Sequence, residues 1–327
     1  SFWKNKKIFI TGHTGFKGSW LSIILKMLGA NVTGYSTKAP TNPSLFELAR
    51  VGSYIDKSII GDIRDLKNLK KKIINCNPEI VFHMAAQSLV IDSYKKPIES
   101  FETNAIGTLN LLESLRSLKN LKCAIIVTTD KVYKTGKENK TFTENDPIGV
   151  TDPYGSSKVC AEIITESYNT SFFFNYSYLK IATVRAGNVI GGGDYSLNRI
   201  VPDYFKVLKN KKKLNIRNPK HIRPWQYVLE PLSGYMLLAE KLSNKKIKNT
   251  NYFSNPLRSR HSVITSSQDH HSDHQFYIYI QSSCTLLSFS ISFYNWPTVH
   301  VYNELTTKGN TIQTNTSDVK CIFKNQR

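Results

Sequence analysis

Short apolar runs alternate with amphipathic stretches from the amino terminus to about Pro256. Lys7-Ile8-Phe9-Ile10 is an apolar run with β-branched members and predicts a buried parallel strand. Between Ser19 and Leu28, residues Trp20, Leu21, Ile24, Leu25 and Leu28 recur at helical spacing, and Gly29 stands where a helix cap belongs. Asn31-Val32-Thr33-Gly34-Tyr35 then reads as a second strand, which completes a βαβ unit. The alternation continues through Ile59-Ile60, a basic helix to Asn75, a strand Glu79–His83 and a long helix Asn104–Leu118. It resumes with a strand Ala124–Val127, a helix opened by Asp152-Pro153 and a strand Ile181–Arg185. This order predicts an α/β fold with a doubly wound parallel sheet.

From Gly187 the character changes. Gly191-Gly192-Gly193-Asp194 reads as a loop, Ile200–Lys209 as a helix, Arg223–Val228 as a short strand, and the residues up to Leu242 as another helix. We expect residues 187–256 to form a smaller lobe over the strand ends of a cofactor domain at 1–186. After Pro256 the text is rich in Ser, Thr, Asn, Gln and His and nearly lacks glycine. Phe276–Ile280 and Leu286–Tyr294 are strand-like, but 257–327 carries no further recognisable pattern.

Composition changes this picture little. The 327 residues give ample core, and the five cysteines are scattered with no C-x-x-C pair, as expected of reduced thiols in a cytoplasm. No apolar run approaches the roughly 20 residues that span a bilayer, and no signal-peptide pattern precedes the first strand. A membrane partner is not expected. The formal net charge of +20 invites a polyanion reading, but no zinc-finger or aromatic RNA-binding pattern accompanies it. The basic residues fall on ordinary helix and loop positions such as Lys67–Lys72, so no nucleic-acid partner is expected.

Two motifs carry chemistry. In Thr11-Gly12-His13-Thr14-Gly15-Phe16-Lys17-Gly18, Gly12 allows a tight turn out of a strand, Gly15 admits a pyrophosphate and Gly18 permits close helix packing. The helix start then offers N–H groups and a partial positive charge to phosphates. The second strand ends without the acidic residue that would hold a ribose, and Lys38 there hints at a 2′-phosphate. Asp62-Ile63 is placed to bracket an adenine. Tyr154 and Lys158 are four apart on one helix, where an ammonium near a phenol is expected to lower the phenol's pKa and make it a general base. Thr129 stands at a strand's carboxyl end, within reach of that phenol. Asp130-Lys131 adds groups that simple hydride transfer does not need and that loss of water does.

These motifs, with His83-Met84-Ala85-Ala86-Gln87, Thr128–Tyr133, Arg185–Asp194, Arg223-Pro224-Trp225-Gln226 and Leu229–Tyr235, resemble the CDP-glucose 4,6-dehydratases, which are extended short-chain dehydrogenases/reductases. The resemblance covers residues 1–256. Related dTDP-glucose and GDP-mannose dehydratases have Asp-Glu where this chain has Asp130-Lys131. The resemblance implies NAD as the cofactor, in preference to the hint from Lys38. It implies NAD contacts from Gly12, Thr14, Gly15, Phe16, Lys17, Gly18, Asp62, Ile63, Ala85, Ala86, Asn104, Thr128, Tyr154 and Lys158. Gln87, Asn188, Arg217 and Arg223 would face a nucleotide sugar, and Thr129, Asp130, Lys131, Tyr154 and Lys158 would be catalytic.

The implied reaction is a closed redox cycle that yields CDP-4-dehydro-6-deoxyglucose. Tyr154 takes the 4-hydroxyl proton as hydride leaves carbon 4, and Asp130 protonates the departing 6-hydroxyl. Lys131 stands where relatives keep the carbon-5 base, and the hydride returns to carbon 6. A homodimer or higher homo-oligomer, built on the helices Asn104–Leu118 and Tyr154–Tyr168, is also implied. A nucleotide-sugar 4-epimerase shares the glycine turn and the Tyr-x-x-x-Lys, and an inactive NAD-binding remnant is the other alternative. The loss of pattern beyond Leu257 is what a shifted reading frame or a recombined end would produce. His261, His270, His271 and His274 there match no zinc spacing, and no metal is expected.

Overall fold

The computed structural model describes residues 1–134, 142–173, 179–210 and 225–244, and strands at Tyr252–Ser254, Ile278–Gln281, His300–Asn303 and Asp318–Ile322. Nine strands precede the last three: β1 (Lys7–Thr11), β2 (Asn31–Ser36), β3 (Lys57–Ile60), β4 (Ile80–His83), β5 (Cys123–Val127), β6 (Lys180–Arg185), β7 (Asn188–Ile190), β8 (Trp225–Tyr227) and β9 (Tyr252–Ser254). Seven of them form one sheet in the order β3-β2-β1-β4-β5-β6-β9, parallel throughout. The order reverses between β1 and β4, which opens a crevice at their carboxyl ends.

The helices are α1 (Phe16–Met27), α2 (Leu45–Leu48), α3 (Val51–Tyr54), α4 (Leu66–Cys76), α5 (Val90–Lys95), α6 (Pro97–Phe101), α7 (Gly107–Leu115), α8 (Pro153–Tyr168), α9 (Ile200–Lys209) and α10 (Leu229–Ser243). Side chains alternate across each strand, so the sheet has two buried faces. Ile8, Ile10, Ile125 and Val127 pack with Leu21 and Leu25 of α1 and Leu232 and Leu238 of α10. Phe9, Val81, Ala124 and Ile126 face the other way, onto Leu69 and Ile73 of α4 and Leu111 and Leu115 of α7.

Local signals set the element ends. Gly29, at φ +85°, takes the left-handed position after α1. Asp152 caps α8 by accepting from the Gly155 N–H at 2.9 Å, with Pro153 at the first helical position. The long helix expected over Asn104–Leu118 is instead α6, a π-turn Glu102–Ile106 and the shorter α7.

The chain also crosses the boundary at residue 186. β7, β8 and α9 lie outside the main sheet, and β7 pairs with β8 in parallel. α10 then packs on the sheet face, and β9 pairs with β6 as its edge strand. Three strands of the tail form a separate antiparallel sheet, one of them at Ile278–Gln281, beside the expected Phe276–Ile280. The expected strand Leu286–Tyr294, the histidine cluster, Arg217 and Arg223 lie outside the described residues. No helix among the described residues is long and apolar enough to cross a membrane.

Candidate active site

The glycine turn lies at the reversal of strand order. Gly12 has φ +79°, and a Cβ there would stand 2.6 Å from the backbone nitrogen of Ala85 in the loop after β4. A Cβ on Gly18 would fall on the Gly12 carbonyl, so helix and turn meet backbone to backbone. Gly15 is more open, its hypothetical Cβ meeting only the Gly12 carbonyl at 3.4 Å. Gly15 caps α1 without a side-chain hydrogen bond, and the first turn holds no acidic residue. This helix start suits a phosphate group, because its N–H groups and positive dipole end meet no competing carboxylate. Thr14 ties the turn to the end of β2, with Oγ1 2.8 Å from Ser36 Oγ and 3.1 Å from the Thr37 carbonyl.

Buried chains fix the loop after β4. Thr11 Oγ1 lies 2.7 Å from His83 Nδ1 and accepts from the N–H groups of Met84 and Ala85, both at 3.2 Å. His83 Nε2 lies 3.1 Å from Thr108 Oγ1, and burial, with the charge of Lys158 adding, pushes its pKa down to about 3. This imidazole is therefore a neutral link. Asn104 accepts from the Gln87 N–H at 2.9 Å and donates to the Gln87 carbonyl at 3.0 Å and to Ser157 Oγ at 2.9 Å. Its amide is thus engaged by protein on both atoms, and Asn104 clamps the Gln87 loop to α8 where a cofactor contact was expected. Gln87 Oε1 is buried without a partner among the described residues, an acceptor left for a ligand.

Tyr154 and Lys158 both point into the crevice side of α8 and are buried. The Thr129 hydroxyl hydrogen-bonds the Tyr154 phenol and donates to Asp130 Oδ1 at 3.2 Å, linking the two side chains. Lys131 Nζ lies 5.7 Å from the Tyr154 ring centroid. The structure therefore brings Thr129, Asp130, Lys131 and Tyr154 together.

The electrostatics correct one expectation. Lys158 donates to the Val127 carbonyl at 3.1 Å and does not pull the phenol down. Burial pushes Tyr154 up to about 12, with Asp130 adding to the effect and the Thr129 hydrogen bond opposing it. Burial, helped by the charge of Lys17, lowers Lys158 to about 7. Burial penalises both ions, so the phenol rests neutral beside an amine that gives up its proton more readily than an ordinary lysine.

Thr128 is tied to the scaffold through its hydroxyl, which donates to Glu162 Oε1 at 2.5 Å. Glu162 also accepts from Thr183 Oγ1 at 2.7 Å and from Arg185 Nε at 2.8 Å, which locks α8 to the ends of β5 and β6. Asp62 closes on Arg64 at 2.6 Å, and this guanidinium holds its carboxyl below the usual range. Ile63 is buried beside it. Asn188 starts β7, and the following loop is tied to α1 by Trp20 Nε1 donating to the Gly192 carbonyl at 2.9 Å.

Sequence reasoning missed Arg199 and Tyr235. Arg199 pairs with buried Asp194 at 3.0 Å and reaches Ser88 Oγ at 3.4 Å, beside Gln87. Its charge acts on both Lys17 and Tyr154. Tyr235 reaches the same centre from α10.

A parallel sheet in this order, a glycine turn at its reversal and a Tyr-x-x-x-Lys helix against its carboxyl edge define a Rossmann-like fold of the extended short-chain dehydrogenase/reductase type. Solved structures agree. A UDP-glucose 4-epimerase from Thermotoga maritima is similar at TM-score 0.63 and 26% identity, over 76% of this chain and 75% of that one. The dTDP-glucose 4,6-dehydratase DesIV from Streptomyces venezuelae, solved with NAD bound, is similar at TM-score 0.65 and 21% identity, over 76% and 74%. The chain belongs to the GDP-mannose 4,6 dehydratase family, whose model matches residues 9–257. A CDP-glucose 4,6-dehydratase from Salmonella typhimurium is 48% identical over 252 residues, 76% of this chain and 70% of that relative. A dTDP-D-glucose 4,6-dehydratase from Dictyostelium discoideum is 31% identical over 256 residues, 72% of this chain and 56% of that relative.

Proposed function

We propose that this chain is an NAD-dependent hydro-lyase that converts CDP-glucose to CDP-4-dehydro-6-deoxyglucose and water. The observation that carries the reading is Lys131 Nζ poised 5.7 Å from the Tyr154 ring centroid with Asp130 beside it. The 48% identity to a CDP-glucose 4,6-dehydratase supports the choice of nucleotide. The residues fit a dinucleotide: the turn Gly12–Gly18, with Ala85 packed on Gly12, and the uncapped start of α1 suit the pyrophosphate, and we assign Asp62, Ile63 and Ala86 to the rest of the cofactor. When bound, an oxidised nicotinamide would supply the hydride acceptor and a positive charge.

Tyr154 takes the proton of the 4-hydroxyl as the phenolate, its own proton having been given up to solvent beforehand, and the Thr129 hydrogen bond favours that form. Lys158 adds positive charge on the same helix face. Lys131 removes the carbon-5 proton, made acidic by the carbon-4 ketone, and Asp130 protonates the leaving 6-hydroxyl. Gln87 Oε1 and Asn188 receive the sugar, and Arg217 and Arg223 the diphosphate. A 4-epimerase would leave Asp130 and Lys131 without a task, since epimerisation eliminates nothing.

Residues 1–186 then carry most of the cofactor site, and 187–256 supply the substrate lobe as well as α10 and β9 of the sheet layer, while the family match ends at 257. A homo-oligomer is supported by exposed Tyr94, Ile98, Ile106, Ile163 and Phe172 on the packed group α5 to α8. A small polar substrate and scattered cysteines support a cytoplasmic setting, with neither a nucleic acid nor a membrane as partner.

A substrate panel tests the reading. Product from CDP-glucose, with none from dTDP-, UDP- or GDP-sugars, supports it. A dinucleotide-binding protein that turns over none of them would be an inactive remnant.

A further inference from the structure

Lys17 stands in the first turn of α1, among the groups expected to meet phosphate. Its side chain goes further. Nζ lies 5.8 Å from the ring centroid of Tyr235 on α10, a cation held on an aromatic face. Tyr235 is 2% exposed, and its hydroxyl has no partner among the described residues. Arg199 repels the Lys17 ammonium, Asp130 attracts it, and Lys17 in turn acts on Lys158. Tyr235 is acted on by Tyr154 and Asp130. The ammonium is therefore grouped with the reacting residues, beyond the turn that carries it.

We propose that Lys17 is a second cation of the catalytic centre, seated on Tyr235, that makes the site hold reduced nicotinamide more tightly than oxidised nicotinamide. The proposal rests on the dinucleotide reading above. The two cofactor forms share one pyrophosphate and differ by one positive charge on the ring. Attraction of Lys17 for the phosphates cancels in the ratio of their affinities, while repulsion of the charged ring does not. At an effective dielectric near 20, a unit charge within roughly 10 Å of the ring would change that ratio by about tenfold or more. The bias makes the bound cofactor a stronger oxidant, which favours loss of hydride from carbon 4.

The test is calorimetric titration of the full chain with NAD+ and with NADH separately, at pH 7, below the value of about 8 to which burial and Arg199 lower Lys17. The native chain should prefer NADH. Lys17→Met should lose about tenfold of that preference, and Lys17→Arg should keep it. Lys17→Gln, which retains the stem and polarity, serves if the Met variant does not fold. Equal weakening of both affinities would confine Lys17 to the phosphates and overturn the proposal, as would no change in either. Failure of the native chain to bind either form would instead overturn the cofactor reading beneath it.

Discussion

Replacing Glu162 with Gln should destabilise the chain severely while leaving every proposed reacting group in place. Glu162 is 1% exposed and accepts from Thr128, Thr183 and Arg185, itself 4% exposed. Burial opposes the Arg185 ion, and the hydrogen bonds and charge of Glu162 overcome that, so its pKa is raised. Glu162→Gln keeps the shape but leaves that cation buried without its counter-charge, and an amide nitrogen replaces one acceptor. Breaking such a pair from one side costs about 3–5 kcal/mol, a large share of the roughly 5–15 kcal/mol that holds a domain together. At a urea slope of about 3 kcal/mol per molar, the unfolding midpoint should fall by about 1–1.7 M. Glu162→Leu combined with Arg185→Met should recover most of the loss, because no lone charge remains. Urea unfolding followed by circular dichroism checks both. A Glu162→Gln midpoint within about 0.3 M of the native one would refute the claim that this pair locks α8 to the sheet.

Four further outcomes follow from the site. Lys158 keeps its proton to about pH 7 when folded and to 10.5 when unfolded, so between these values the unfolded chain binds more protons. Stability should then rise from pH 7 to pH 9 relative to Lys158→Met, by at most about 1.4 kcal/mol per unit, and a pH-independent difference would contradict this. Lys131→Gln should still oxidise carbon 4, so the absorbance of reduced nicotinamide should build up without product; unimpaired product formation would remove Lys131 from the elimination. Gly18→Ala, whose Cβ would strike the Gly12 carbonyl, should cost about 1–3 kcal/mol and weaken dinucleotide binding. Ile98→Glu with Ile163→Glu, at positions 73% and 58% exposed, should yield monomers in sedimentation if this face joins subunits; an unchanged oligomer would move the interface elsewhere.

The sheet was legible because a parallel strand buried on both faces is a continuous apolar run, and β1, β4 and β5 read that way. The glycine turn and the start of α8 were legible because each relies on a residue type that its backbone geometry demands. What individual side chains hold was less legible. Thr128 shares the parity of Ala124 and Ile126, which face α4 and α7, and that alternation was the available sign that it serves the scaffold. Asn104 precedes Thr108, Leu111 and Leu115 at helical spacing on one buried face, a pattern of internal packing. Nothing local marks Arg199, and Tyr235 closes the motif Leu229–Tyr235 with no sign of where its side chain turns; both reach the centre only through the path of the later chain. The depressed pKa expected of Tyr154 failed because spacing brings Lys158 near without showing that its ammonium turns to the Val127 carbonyl.

The most direct test of a closed redox cycle is the fate of the hydrogen on carbon 4. CDP-glucose carrying deuterium there should yield CDP-4-dehydro-6-deoxyglucose with the label in the carbon-6 methyl group and little lost to solvent. Label retained on carbon 4 of a CDP-sugar epimer, or product whose methyl group takes up only solvent hydrogen, would contradict the account.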